Sequence, residues 1–198
     1  SDTSITPSAS GSATPETLPL GIEKAEEAKK NGKPVHVVIF QDFNCHHCRD
    51  FEQANYETIK KLVEDGSITV EYRNMIILDR GSPTQYSART ANAAYAVANQ
   101  VSADKYLEFQ KELFDRQGGG DLNNQQIADI AAKYGANISS DLNDNKWRPL
   151  VNVVNEESLN NGVHGTPAIY ADGEQFPGPK SEDFPKWVQG KIDAKKQQ

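Results

Sequence analysis

Cysteine, methionine and long apolar runs are all scarce in this 198-residue chain, which holds two cysteines and one methionine. A membrane-spanning helix needs roughly 18 consecutive apolar residues. The greasiest stretches, Val37-Val38-Ile39-Phe40 and Met75-Ile76-Ile77-Leu78, fall far short of that. Basic residues are also in deficit, with 21 Lys and Arg against 28 Asp and Glu for a net charge of -7. Nucleic acids and anionic membranes demand clustered positive charge, so neither is expected as the main partner. With 36% apolar and 25% charged residues the chain reads as soluble and globular. No internal repeat is visible.

The cysteine shortage is the most informative of these. A disulfide framework is excluded, because Cys45 and Cys48 lie three residues apart and would close too small a loop to staple a fold. A closed structural zinc site needs four ligands, and no second Cys/His pair with ligand spacing exists. Two cysteines placed at random would fall into C-x-x-C spacing only about one time in a hundred. Redox chemistry or a partial metal site remains.

The chain begins at Ser1 rather than Met, so a leading residue or segment is expected to have been removed, by processing or by design; a secretory signal or membrane anchor is one expectation for it, and the sequence itself shows neither. Fourteen of the first 17 residues are Ser, Thr, Pro, Ala or Gly, too polar to fold, so residues 1–18 read as a flexible tether. An amphipathic helix is expected from Thr17 to Asn31. Val35 to Phe40, β-branched and almost continuously apolar, has the character of a strand buried on both faces. A helix then starts at the first cysteine, with Asn44 as its expected N-cap and Phe51, Ile59, Leu62 and Val63 as a broken apolar stripe. Ile68 to Tyr72 alternates as a second strand, exiting through Met75–Leu78, and strand–helix–strand with short links implies a right-handed parallel unit.

Residues 80–162 look all helical, with stripes at Ala88–Ala98, Tyr106–Phe114, Ile127–Tyr134 and Leu150–Val154. Pro149 marks a first helical turn, and Ser139–Asn145 suggests a short extra helix. Beyond them Ala168–Ala171 reads as a strand that turns at Asp172-Gly173 into a return strand, Glu174–Phe176. Ser181 is the expected cap of a last helix through Phe184, Trp187, Val188 and Ile192. The expected organisation is a sheet-bearing domain formed by 19–79 and 163–198, interrupted by a helical insertion at 80–162.

A C-x-x-C at a helix start, directly after a buried strand, favours a reactive thiol, because unpaired N–H groups and the helix dipole stabilise a thiolate. Cys45, at the exposed end, is the candidate nucleophile, and Cys48, one turn in, the resolving thiol. A protonated His46 or His47 further stabilises the Cys45 thiolate and so favours the reduced form, the property of a strong oxidant. A helix sets His46 and His47 about 100° apart, so both cannot easily join the cysteines on one ion, and no metal site is expected. His36 on the strand reads as structural, and His164 is a weak candidate for facing the site.

Val38-Ile39-Phe40-Gln41-Asp42-Phe43-Asn44-Cys45-His46-His47-Cys48, the helical insertion, and Gly162-Val163-His164-Gly165-Thr166-Pro167 together resemble the DsbA-like extracytoplasmic thiol-disulfide oxidoreductases, especially Gram-positive ones. The resemblance covers roughly residues 20 to 195. It implies an α/β protein: a thioredoxin fold interrupted by an all-helical insertion domain. It also implies a cis bond before Pro167, across from Cys45, with the backbone of Thr166 open to pair strand-like with a substrate segment and Thr166 tuning the potential. Many members have Pro-His between the cysteines; here His47 matches that histidine and His46 replaces the proline. Gram-negative members carry a buried acid six residues before the first cysteine. That position is Ile39 here, which leaves Asp42 as either a proton relay for Cys48 or a plain turn residue.

On this resemblance the chain is expected to be a monomeric enzyme that donates a Cys45–Cys48 disulfide to unfolded exported polypeptides. No dissociable cofactor is implied, and a membrane quinone-linked protein of DsbB or VKOR type would reoxidise the pair. The compartment is oxidising and extracytoplasmic, with the chain tethered to the membrane or secreted. The alternatives are a disulfide reductase or isomerase and, from another class, a thioredoxin-fold metal-binding or chaperone module. The lack of Met near the cysteines counts against a copper carrier.

Overall fold

The computed structural model describes residues 34–197. The expected tether at 1–18 and helix at Thr17–Asn31 lie outside them. Four strands form one mixed sheet in the order β2-β1-β3-β4: β1 Val35–Gln41, β2 Ile68–Asn74, β3 Ala168–Ala171 and β4 Glu174–Gln175. β1 and β2 run parallel, from Val35 opposite Ile68 to Gln41 opposite Asn74. β3 runs antiparallel to β1, with Ile39 opposite Ile169. The parallel pair is joined by α1, His46–Glu64.

β1 is apolar on both faces because both are covered. Val35, Val37 and Ile39 enter the main core with Phe51, Ile59 and Val63 of α1, whereas Val38 and Phe40 pack on the other side with Met75, Val163 and Ala168. The β3–β4 hairpin turns through Asp172 and Gly173, with φ of 46° and 86°. Positive φ at both central residues matches the twist of the flanking strands, the reason Asp-Gly is favoured there. Asp172 also ties the hairpin to β1, accepting from the His36 N–H at 2.9 Å and from Lys195 Nζ at 3.1 Å.

After β2 a 3-10 turn, Ile77–Gly81, leads into five helices: α2 Tyr86–Ala98, α3 Ala103–Asp115, α4 Asn124–Lys133, α5 Ser139–Asn143 and α6 Arg148–Asn160. α2 is the hub. Its buried Ala88, Ala91, Ala93, Ala94 and Ala96 carry so little bulk that neighbouring helices approach closely, and Phe109, Ile130 and Val151 fill the space between. α7, Phe184–Lys196, returns to the sheet beside α1 through Phe184, Val188 and Ile192. This is a thioredoxin fold with a helical insertion.

Two expected caps differ in the structure. Cys45, not Asn44, holds the N-cap position of α1, in extended backbone with φ -91° and ψ 121° and no side-chain cap bond. Asn44 is instead spent in a turn in which its N–H donates to Asp42 Oδ1 at 3.0 Å and the Cys45 N–H donates to the Asp42 carbonyl at 3.0 Å. Ser181 opens a separate 3-10 turn, Ser181–Asp183, and α7 starts only at Phe184, with Asp183 at its cap and proline in the first turn. Among the described residues no helix is long and apolar enough to cross a membrane.

Candidate active site

β1 ends at Gln41, and the turn Asp42–Asn44 delivers the chain to α1 at the carboxyl edge of the parallel strand pair, where α/β sheets place their sites. Because Cys45 occupies the cap position, its sulfur faces the free N–H groups of the first helical turn that a serine or aspartate cap would otherwise satisfy. Both cysteines are free thiols, Cys45 9% and Cys48 2% exposed.

The two thiols are unequal. Cys45 is drawn down to about 5, first by the hydrogen bond from the Cys48 thiol and then, against the opposing effect of burial, by the Cys48 N–H, the Thr166 hydroxyl and the His47 N–H. Cys48 is driven far above the ordinary thiol range, first by burial and then by its bond to the Cys45 sulfur. A nucleophile ionised at neutral pH thus sits on a partner that keeps its proton.

The His47 group that reaches the sulfur is its backbone N–H. The two imidazoles are exposed and pack against each other, with centroids 4.0 Å apart. The Thr166–Pro167 bond is cis, and the Thr166 carbonyl accepts from Cys45 Sγ at 3.7 Å across 121 residues of sequence. His164 is exposed on the loop before β3. His36 lies away from the thiols on β1, bonded to Thr69 Oγ1 at 2.8 Å and facing Glu71 at 3.4 Å.

Asp42 is wholly buried. Its carboxylate accepts from the Ser87 hydroxyl at 2.6 Å, the Asn44 N–H at 3.0 Å and the Leu78 N–H at 3.1 Å. Burial raises its pKa, and those three donors oppose the rise. The Asp42 backbone also hydrogen-bonds to the Cys48 thiol.

Three features escaped the sequence reading. Beside the thiols runs an open groove of about 460 Å³, lined by His47, Phe51, Thr166, Pro167, Phe176 and Lys180 among others. The Pro177–Ser181 segment, which holds the second cis bond of the described residues at Gly178–Pro179, forms part of its lining. One turn below Cys48, Glu52 is buried with its Oε1 accepting from Gln110 Nε2 at 3.0 Å. Gln110 in turn accepts from Gln41 and Tyr106, a polar network under the active-site helix that burial makes costly unless bonded. Third, Gln117, just past α3, reaches the active-site turn. Among the described residues no three His, Cys, Asp or Glu side chains gather as a metal site.

A thioredoxin family model matches residues 29–190. Among solved structures, DsbA from Mycobacterium tuberculosis in its reduced state is 26% identical, with a TM-score of 0.68 over 82% of this chain and 88% of that one. The reduced disulfide bond oxidoreductase DsbG of the same organism is 26% identical, with a TM-score of 0.66 over 82% of this chain and 83% of that one. MdbA, a thiol-disulfide oxidoreductase from Corynebacterium matruchotii, shares the fold at 21% identity, with a TM-score of 0.67 over 84% of this chain and 99% of that one. No curated protein matches the chain. The family model spans most of the sequence and takes in both the C-x-x-C helix and the Thr166–Pro167 loop, and the chain belongs to the thioredoxin family.

Proposed function

We propose that this protein is a thiol-disulfide oxidoreductase that passes the Cys45–Cys48 disulfide to unfolded, exported polypeptides. One observation carries the reading: the unequal thiol pair, with Cys45 held near 5 at the helix cap and Cys48 buried and protonated beneath it. The DsbA, DsbG and MdbA likenesses point the same way.

In the oxidised protein a substrate thiolate attacks Cys45 Sγ. The Cys45–Cys48 bond breaks, its electron pair goes to Cys48 Sγ, and Cys48 takes up a proton. A second substrate thiolate then attacks the substrate sulfur of the mixed disulfide, and Cys45 leaves as a thiolate. A depressed pKa makes it a good leaving group. The substrate loses two electrons and forms its disulfide, and the protein ends as Cys45 thiolate and Cys48 thiol. The redox equivalents reside in the cysteines themselves, so no external cofactor enters.

Asp42 is the candidate proton relay for Cys48: it is a buried carboxylate near enough to the thiol pair for the Cys45 charge to raise its pKa, and its backbone hydrogen-bonds to Cys48. Thr166 and Pro167 offer the substrate segment an edge beside Cys45, and the adjoining groove takes its side chains. His46 and His47 add positive charge at the mouth when protonated, and His164 lies at its rim. A quinone-linked membrane protein of DsbB or VKOR type reoxidises the monomer outside the cytoplasmic membrane.

The test is turnover of a reduced, unfolded peptide that carries two cysteines. The oxidised protein is expected to convert it stoichiometrically to the disulfide form, and Cys45→Ser and Cys48→Ser, which hold no disulfide to give, to convert none. Offered the peptide in its disulfide form instead, Cys48→Ser is expected to accumulate as a mixed disulfide through Cys45, releasing one peptide thiolate. Retained conversion by Cys45→Ser would overturn the mechanism.

A further inference from the structure

We propose that Gln117, just past the end of α3 in the helical insertion, is a positioning residue that clamps the active-site turn and aligns Cys45 with the donors of its own helix. Gln117 Nε2 donates to the Phe43 carbonyl at 2.9 Å and to the Cys45 carbonyl at 3.1 Å, across 74 and 72 residues of sequence. These are the two carbonyls that bracket Asn44, on either side of the place where strand gives way to helix. The Phe43 carbonyl lies ahead of the helix and outside its ladder. The Cys45 carbonyl already accepts from the Arg49 N–H at 3.1 Å, and Gln117 supplies its second donor.

α3 is fixed against the same turn by a second contact, the Phe114 ring on Phe43 at 4.8 Å between centroids. The C-terminal end of α3 and the residues just past it therefore grip the turn by an apolar side chain and an amide together. The consequence runs through the cap geometry. The Cys45 sulfur is stabilised by the His47 and Cys48 N–H groups of the first helical turn, an alignment that holds only while the Cys45 peptide keeps its orientation. Donation into the Cys45 carbonyl holds that peptide plane and polarises it, which strengthens the hydrogen bonds of the turn. The insertion thereby contributes to thiolate stability without touching the sulfur.

The titratable groups around Cys45 are Cys48, Asp42, His46 and His47, with His164 on the loop before β3. On the α3 side, Asp115 is held by Gln53 and Lys111, and Arg116 by Glu112, so the group facing the turn is the neutral amide. A change at Gln117 to another neutral side chain leaves every one of these charges in place.

The proposal rests on Cys45 as the nucleophile, and the experiment separates the two claims. In the reduced protein the rate of Cys45 alkylation by iodoacetamide is followed from pH 3.5 to 9. Gln117→Met keeps shape and removes the donors, and its acid limb is expected to move up by about half a pH unit, a roughly twofold rate loss at pH 5 and roughly threefold at pH 4, with none at pH 8. Gln117→Glu turns a carboxylate on the two carbonyls and is expected to move it further. Gln117→Lys restores a donor with positive charge and returns the limb to the parent position or below. A parent limb near pH 5 that Gln117→Met leaves superimposed overturns the clamp alone, as does failure of Gln117→Lys to recover the limb. A parent with no acid limb overturns the nucleophile reading as well. Thermal unfolding of each variant shows that the comparison is made on folded protein, since a stability loss by itself does not move an ionisation.

Discussion

Replacing Glu52 with Gln should make the protein more stable in alkaline solution and leave it nearly unchanged in acid. Glu52 is fully enclosed beneath Cys48, and burial lifts its carboxyl from 4.5 to about 7. In the unfolded chain the group loses its proton near 4.5, whereas the folded protein keeps that proton until about 7. The folded state therefore binds the extra proton. Its advantage is full below about pH 4.5 and is lost as pH rises through the folded value.

Two and a half units at about 1.4 kcal/mol each give a loss on the order of 3 kcal/mol between pH 4.5 and 7, constant thereafter. Gln at this position keeps an acceptor for Gln110 Nε2 and puts an N–H₂ where Oε2 has no hydrogen-bond partner. It removes the titration at little cost in shape. Urea unfolding of the parent and Glu52→Gln at pH 4, 6 and 8 reads the difference directly. The thiol contributes with opposite sign, because a folded pKa below the unfolded one stabilises the protein as pH rises. Taking variant minus parent in the same redox state cancels it. The expected gain at pH 8 is about 2 to 3 kcal/mol, shrinking toward zero at pH 4. A pH-independent difference, or a variant less stable at pH 8, would refute the reasoning.

Other outcomes follow from the same geometry. Cys45 should alkylate with a half-maximal rate near pH 5 while Cys48 stays refractory well above neutrality, both read by mass shift of quenched samples. Thr166→Val removes a hydroxyl that helps stabilise the thiolate and should raise that midpoint with no loss of fold. Ser87→Ala deletes the 2.6 Å donor to the buried Asp42 carboxylate and should cost about 2 kcal/mol at pH 7 by urea unfolding. Because it leaves Asp42 less well hydrogen-bonded, that cost should diminish as pH falls and the carboxyl takes up its proton.

What the sequence made legible was set by local rules. The continuous apolar run of β1, the Asp-Gly hairpin and the Pro149 helix start each follow from chain-local physics, and all three stand in the structure. The break in the stripe of α1 is visible in the sequence but not its meaning: the polar Glu52 and Asn55 occupy buried positions in the gap between Phe51 and Ile59. They are tolerated because Gln110 on α3, and the carbonyls of Phe51 and Ser181, supply partners. Such partners lie up to 126 residues apart, and no periodicity reports them. Asn44 is a good cap residue in isolation, but Asp42 captures its N–H and the cap passes to Cys45. Gln117 gave no local signal beyond standing ahead of Gly118-Gly119-Gly120, and its role exists only once α3 packs on the active-site turn.

The central claim is that the Cys45–Cys48 pair is built to give away its disulfide. Its reduction potential, measured by equilibration with glutathione buffers and counting of free thiols by alkylation mass shift, tests that most directly. A thiolate stabilised at the helix cap favours the dithiol form, so the account predicts a potential well above that of thioredoxin, toward the value of about -120 mV typical of strong disulfide donors. A potential near about -270 mV, the thioredoxin value, would mark a pair poised to reduce and would contradict it.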